Sequence, residues 1–456
     1  MEKQIDFTSG QILSKLLVFA GPVLLALFLQ AMYGAVDLLI VGKFASSADV
    51  SAVSTGSQIM MTITNLVSSL CMGMTVYLSQ KIGERKAEEG GRIVGSGLAM
   101  FAAVGVLLTV VIPLLSGRLA GIMNAPAEAF DLTVSYIAIC GAGSIVIIAY
   151  NLIGGVFRGI GDSNTPLVTV MIACIFNIAG DLLLVAGLGM GAKGAAIATV
   201  TAQLMSVVIS YLMIRRKALP FRVEKESICF DSRIIKRILL IGTPIALQDL
   251  LVGISFLVIL SIVNNIGLTE SAGVGVAEKV CGFIMLVPAA FMQSMSAFVA
   301  QNRGAGKIDR AVKGLRSAIG ISFVLGVVMF YAAFFHGEAL SGLFSNDNAV
   351  IFAAADYLKA YAIDCLLTCF LFCFVGFYNG MEHTTFVMAQ GIIGAFAVRV
   401  PVSFIMSKIE PVSLFRIGLA IPCSTVLQII LCFVFLGRMK SERYRRGCCG
   451  EKETVS

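Results

Sequence analysis

Residues 14–38 read SKLLVFAGPVLLALFLQAMYGAVDL, an apolar run with one charge near each end, Lys15 and Asp37. An α-helix needs about 20 mostly apolar residues to cross the hydrocarbon core of a bilayer, so this stretch is long enough to span. It does not alternate apolar with polar residues as a membrane β-strand would. Working outward with the same criterion, eleven further stretches follow, at 50–78, 93–115, 132–157, 165–187, 193–214, 236–263, 273–300, 315–336, 354–378, 386–407 and 413–437. Polar or glycine-rich segments separate them, among them Gly83-Glu84-Arg85-Lys86, Gly161-Asp162-Ser163-Asn164, Gly304-Ala305-Gly306-Lys307 and Ser345-Asn346-Asp347-Asn348. The sequence therefore predicts twelve spans.

Composition agrees. Of 456 residues, 58% are hydrophobic and 13% charged, with a mean hydropathy of +0.92, whereas soluble domains run to roughly a quarter charged. The net charge of +7 does not indicate nucleic-acid binding, because the basic residues alternate with apolar segments instead of forming one stripe. No small-residue cleavage site follows the first apolar run, which reads as a membrane helix and not as a signal peptide. Of the 34 Lys and Arg, with those at a span's edge counted in the adjoining connection, 26 fall in the N-terminus, the even-numbered connections and the C-terminal tail, five in the odd connections and three well inside spans (Lys279, Lys359 and Arg399). By the positive-inside rule both termini are cytoplasmic and the protein is a multi-pass component of the plasma (inner) membrane. The longest basic connection, from about Arg215 to Arg237, lies mid-chain and reads as a linker facing anionic lipid headgroups. The twelve cysteines suggest neither a zinc site nor a disulfide framework; Cys365, Cys369 and Cys373 share a helical face as small packing residues, and Cys448-Cys449 sits in the polar tail.

An internal repeat underlies the spans. Gly21-Pro22 is answered by Gly242-Thr243-Pro244, Gln80-Lys81-Ile82-Gly83 by Gln301-Asn302-Arg303-Gly304, and Phe157-Arg158-Gly159 by Tyr378-Asn379-Gly380, at offsets of 220 to 222. The expected fold is an all-α membrane protein of twelve transmembrane helices in two six-helix bundles, residues 1–220 and 221–456. An even number of spans per half starts both halves from the same membrane face, so the bundles should be related by a pseudo-twofold along the membrane normal. Two such lobes around a shared cavity suit alternating access. Gly304-Ala305-Gly306-Lys307 lacks the upstream Gly of a phosphate loop and carries Ile308 where Ser or Thr belongs, so no cofactor is expected and the energy should come from an ion gradient. The only histidines, His336 and His383, lie at span ends, and no HExxH motif exists; an embedded enzyme is not expected.

Ionisable residues at bilayer depth are costly and thereby mark function. Asp37 sits late in span one; Asn177 and Asp181 lie one turn apart in span five, on one helix face. Carboxylate, amide and hydroxyl oxygens suit a hard cation such as Na⁺, and a buried carboxyl could instead carry H⁺; a packing network of interhelical hydrogen bonds is the alternative. In the second half Asp249 lies early in span seven, Glu278 and Lys279 near the outer end of span eight where they could snorkel, Asp364 in span ten and Arg399 in span eleven. Arg399 needs a counter-charge, with Asp364 or Asp249 as candidates. These four residues, Asp249, Glu278, Asp364 and Arg399, form either a structural network or a substrate or proton site.

The chain resembles the MATE (multidrug and toxic compound extrusion) family of the multidrug/oligosaccharidyl-lipid/polysaccharide flippase superfamily. The marks are Gly21-Pro22, Val36-Asp37 with Val41-Gly42, Gln80-x-x-Gly83, Arg158-Gly159-x-Gly161-Asp162-Ser163, Asn177-x-x-x-Asp181, Gly191 to Thr199, Gln301-Asn302-x-Gly304-Ala305-Gly306 and Gly376-x-x-Asn379-Gly380. The resemblance implies two lobes around a V-shaped cavity and export of organic cations or amphipathic drugs in exchange for H⁺ or Na⁺. It places the cation site of the family on Asp37, Asn177, Asp181 and Thr199. The second half departs from the pattern: Val252 stands where some members have Glu, and Asn379-Gly380 replaces Arg-Gly, although Asp364 matches. A monomer is expected, with small amphipathic or cationic substrates and lipid as its only partners. A flippase for lipid-linked oligosaccharide is the alternative, disfavoured by only three intramembrane bases.

Overall fold

The computed structural model describes residues 4–216 and 219–450. Glu2, Lys3 and Lys217 lie outside the described residues, as do the side chains of Cys448 and Cys449. Every long element is a helix. The first half comprises α1 (Ile12–Phe44), α2 (Ser47–Gly83), α3 (Ala87–Ile122), α4 (Phe130–Ala142), α5 (Ser144–Gly159), α6 (Asn164–Asp181), continued as a π-helical segment (Leu182–Gly187), and α7 (Gly191–Arg216). The second comprises α8 (Ser232–Asn264), α9 (Leu268–Ile284), α10 (Leu286–Gly304), α11 (Ile308–Phe335), the short α12 (Gly337–Ser341), α13 (Asn348–Gly380), α14 (Thr384–Ile392), a π-helical segment (Ile393–Arg399), α15 (Val400–Met406), α16 (Leu414–Gly418) and α17 (Ala420–Gly450). Among the described residues, ten helices are long and apolar enough to cross a membrane. Two bent pairs, α4 with α5 at 52° and α9 with α10 at 40°, bring the number to twelve if each pair is one span. The expected spans at 132–157 and 273–300 are these broken ones. Large apolar side chains face outward, Leu114 at 77% and Leu183 at 63% exposure, as lipid contact requires and a water-facing surface would not tolerate in bulk.

Local sequence explains where helices begin. Ser46 and Asp49 form a reciprocal capping box at the start of α2, with Ser46 Oγ 3.2 Å from the Asp49 amide. The same Asp49 accepts from the Ala192 amide at 2.8 Å, which fixes the start of α7 to the start of α2. Asp162 accepts from the Asn164 and Thr165 amides at 3.1 and 3.0 Å and starts α6. At the break between α4 and α5, a Cβ on Gly143 would lie 2.6 Å from Val200, so the bend sits where only glycine leaves room.

The repeat is written in the backbone. Arg85 (φ 61°) and Gly306 (φ 71°) are 221 residues apart and both left-handed, as are Gly161 (φ 83°) and Glu382 (φ 58°) at the same separation. An L side chain in that region costs about 1–2 kcal/mol, so a shared turn geometry, and not residue type, is what the halves have in common. Compactness divides the chain differently from its sequence halves. One unit comprises Met1–Leu250, Ala289–Ser317 and Gly376–Thr385, the other Leu251–Pro288, Ala318–Val375 and Phe386–Ser456. The first unit takes in second-half segments because they pack there closely: a Cβ on Gly83 would lie 2.0 Å from the Gln301 carbonyl oxygen, and one on Gly304 2.0 Å from that of Gln80. It also holds the N-terminal segment as a strap. Phe7 is fully buried between the rings of Phe19 (5.1 Å) and Phe298 (5.5 Å). Its amide donates to Gln301 Oε1 (3.2 Å) and its carbonyl accepts from Asn302 Nδ2 (3.2 Å) and Arg310 Nε (2.9 Å).

Candidate ion-coupling site

Within the first unit the structure gathers Asp37, Asn177, Asp181 and Thr199, from α1, α6 and α7. The one-turn spacing of Asn177 and Asp181 puts both on the α6 face that meets α1 and α7. Gly180 lies on that helix too, and a Cβ there would be 2.9 Å from that of Ala198; the small pair lets α6 and α7 approach closely enough for Asn177 Nδ2 to donate to Thr199 Oγ1 at 3.4 Å. Asp37, Asn177 and Asp181 are buried, at 6%, 2% and 0% exposure, and Thr199 is half-buried. The π-helical segment begins immediately after Asp181, a helix irregularity of the kind that concentrates at functional positions.

The carboxyl groups of Asp37 and Asp181 meet directly. Among the described residues, Asp37 Oδ1, Asn177 Oδ1 and both Asp181 carboxylate oxygens are buried with no hydrogen-bond donor. The contact between the two acids is thus oxygen against oxygen. It is a hydrogen bond only when one carboxyl carries a proton; otherwise the two charges repel at low dielectric. A proton shared by the pair, or a small cation held among the four oxygens and Thr199, resolves both the repulsion and the orphaned acceptors. Oxygen donors of this kind suit hard cations. No three His, Cys, Asp or Glu side chains gather as a metal site among the described residues.

Sequence reasoning missed the rim of this site. Tyr33, one turn before Asp37, lies beside Gln203 of α7 and within electrostatic reach of Asp37, as do Tyr136 and Cys140 of α4. The four-residue spacing of Tyr33 and Asp37 was a readable signal; the approach of α4 was not.

The second-half residues do not form one group. Asp249 belongs to the first unit, where it accepts from Ser69 Oγ at 2.5 Å. Asp364, Arg399 and Glu278 lie in the second unit. Asp364 lies beside Thr425, whose hydroxyl donates to the Ile421 carbonyl at 3.1 Å, and feels the Arg399 charge; its Oδ1 is buried and unpartnered, and no direct ion pair joins it to Arg399 among the described residues. Arg399 closes its π-helical segment, donates to Ser255 Oγ at 3.1 Å and lies over the Phe256 ring at 4.4 Å. Its direct contacts are thus an aromatic face and a hydroxyl, with the Asp364 carboxylate within electrostatic reach. At the expected snorkelling pair, Lys279 is exposed but Glu278 turns inward, with Oε1 buried and unpartnered. Tyr357 lies within electrostatic reach of Glu278, Asp364 and Arg399.

Comparison with known proteins gives this geometry a context. The family model MatE matches the chain twice, over residues 22–183 and 244–405, so the matches themselves are offset by 222, in step with the sequence repeat. The probable multidrug resistance protein YoeA of Bacillus subtilis (strain 168) is 24% identical over 432 residues, 91% of each chain. The multidrug export protein MepA of Staphylococcus aureus (strain N315) is 22% identical over 414 residues, 90% of each. These relatives are named for multidrug resistance and export, not for the flipping of lipid-linked oligosaccharide. The crystal structure of MATE in complex with MaL6 superposes with a TM-score of 0.90 at 19% identity, covering 98% of this chain and 100% of that one. A MOP superfamily transporter from Pyrococcus furiosus Vc1, described as having a binding pocket of reverse polarity, superposes with a TM-score of 0.90 at 20% identity, covering 96% and 98%. At these identities the likeness is one of fold.

Proposed function

The chain belongs to the MatE family of membrane transporters, and from that premise we propose that it is a secondary active exporter, exchanging cytoplasmic organic cations or amphipathic drugs for H⁺ or Na⁺ by alternating access. The observation that carries the reading is the direct contact of two buried carboxyls, Asp37 and Asp181, with orphaned oxygens around them. Asp37 and Asp181 bind the coupling ion, and Asn177 and Thr199 add neutral oxygens. An ion that binds one state of the transporter more tightly than the other shifts the equilibrium between them, and only that difference in affinity does work. Two like charges in contact create it: the pair is stable when loaded and strained when empty. A single chain is the transport unit, seated in the plasma membrane with both termini in the cytoplasm, as the 26-to-5 distribution of Lys and Arg supports.

The test is efflux of a fluorescent organic cation from proteoliposomes, with a Na⁺ or a H⁺ gradient imposed separately. Wild-type protein should respond to one of the two gradients. Asp181→Asn and Asp37→Asn keep shape and hydrogen-bonding capacity but remove the charge pair, and both should lose gradient-driven efflux. Efflux at the wild-type rate in either variant would overturn the assignment.

A further inference from the structure

Arg158 was counted among the connections by its sequence, but it lies within α5. Its Nε is buried without a partner, and among the described residues no hydrogen bond or ion pair reaches its guanidinium. The groups that face it electrostatically are the Cys71 thiol and the Tyr150 hydroxyl, neither of them a carboxylate. Beside it is a cavity in the first unit with about 40 Å³ of free space, whose wall includes Gln30, Tyr150, Asn151, Ser163 and Gln293. That space takes roughly three water-sized groups, the size of a carboxylate or phosphate head and far less than a whole drug. Arg158 is the only charged residue on the wall.

Arg158 as a whole is half-buried, but its Nε, shut off from water and without an acceptor, is unfavourable unless something compensates it, and the repeat excludes a general need of the fold for charge at this place. The position 221 residues on is Asn379, buried at 1% exposure and neutral. The polar neighbours are already occupied with one another: Gln30 Nε2 donates to Tyr150 Oη at 2.9 Å, and Ser68 Oγ to Asn151 Oδ1 at 2.8 Å. Gly154 leaves room for the guanidinium, since a Cβ there would lie 3.2 Å from Arg158 Nη1.

We propose that Arg158 and the cavity beside it form a site for the anionic head group, carboxylate or phosphate, of an amphipathic molecule. The planar guanidinium is suited to both oxyanions. If the exporter reading above holds, the site extends its substrates from organic cations to amphipathic acids and zwitterions; binding itself does not depend on that reading.

The experiment uses the purified full chain in detergent and two probes with one fluorophore, dansylglycine and a dansyl quaternary ammonium. Wild-type protein should bind dansylglycine. Arg158→Gln should weaken that binding about tenfold to a hundredfold, the range for one charge-assisted contact, and leave the cationic probe within twofold. Arg158→Lys, which keeps the charge but not the fork, should fall between. Gly154→Ala, which retains the arginine and crowds it, should weaken dansylglycine as well and guards against misfolding of the glutamine variant. A lipid arm asks whether phosphatidylglycerol displaces dansylglycine and whether native mass spectrometry finds it retained on wild type and lost on Arg158→Gln. Displacement and loss identify the occupant as a lipid phosphate; no displacement identifies a soluble carboxylate; either supports the site. Wild-type affinity of Arg158→Gln for both dansylglycine and phosphatidylglycerol, or no binding of either by wild type, overturns it. Loss of cation efflux with dansylglycine binding intact would sink the exporter reading and leave the site standing.

Discussion

The Gln-x-x-Gly motif that recurs 221 residues apart makes a quantitative prediction at Gly83 and Gly304. A Cβ on either would lie 2.0 Å from the backbone carbonyl oxygen of the partner glutamine, Gln301 or Gln80. Backbone cannot swing aside as a flexible side chain can, so the helices must part by roughly 1.5 Å to restore an ordinary contact of about 3.5 Å. Overpacking of this kind costs typically about 1–3 kcal/mol, and the backbone neighbour places it at the upper end. Alanine recovers about 0.5–1 kcal/mol of helix propensity, so the net loss should be about 2 kcal/mol for Gly83→Ala and the same for Gly304→Ala. The double variant is the sharper test. Once one Cβ has parted the helices, the second meets a contact already relieved, so the pair should cost less than the sum of the singles. Thermal unfolding in detergent reads all three: each single variant should lose at least about 2 °C, and the double less than twice that. An unchanged melting temperature in either single variant, or strict additivity in the double, would refute the reasoning.

Two left-handed residues and the N-terminal strap give three more. Arg85 is exposed at φ 61° where the repeat has Gly306, so Arg85→Gly should raise stability by about 1 kcal/mol, seen as a higher melting temperature. Glu382→Gly relieves the same strain but should destabilise, by about 2 kcal/mol net, because the buried Glu382 carboxylate pairs with Arg237 and with Arg303 (2.8 Å) and its loss leaves two guanidiniums together. In the strap, burial alone would raise the Asp6 carboxyl, but hydrogen bonds from Thr8 and Ser9, helped by the Lys15 charge, bring it from 3.8 down to about 2. A carboxyl lowered on folding contributes stability that is complete above its ordinary range and lost as pH falls from about 4 to about 2. Amide-exchange protection at Thr8 should fall across that window in wild type and stay flat in Asp6→Asn.

How much of this could be read from the sequence depended on whether the signal was a misplaced charge or a close approach. Asp37, Asn177 and Asp181 stood out because polar groups in an apolar run demand partners, and Thr199 followed from the family resemblance. The twelve spans were legible for the same reason, by contrast with their surroundings. The bends at 143 and 285 were not, since a broken span and a straight one have the same hydropathy. Phe7 was hidden among Glu2, Lys3 and Asp6, whose charges read as a solvated end although the ring between them is buried. The motif Gln80-x-x-Gly83 was visible as a repeat, but the reason for it, a backbone carbonyl opposite each glycine, exists only in three dimensions. Arg399 has Asp364, one of its two candidate partners, within electrostatic reach, but touches Ser255 and Phe256, because sequence spacing cannot rank neighbours that come from different helices.

The repeat also separates what the scaffold requires from what a site requires. Where both halves need the same turn, they keep the backbone angle even against residue preference: Arg85 holds a glycine's φ with no partner for its side chain among the described residues, whereas Glu382 holds one while binding two arginines. Buried charge is not shared in this way. Arg158 answers to Asn379, and Asp37 and Asp181, by the same offset of 221, answer to Val258 and Val402. A duplicated fold would be as stable with the same neutral residues in both halves. A charge kept on one side only, buried and short of partners, is therefore better explained by something that binds there than by the packing of the bundle, and that argument applies to the acidic pair and to Arg158 alike.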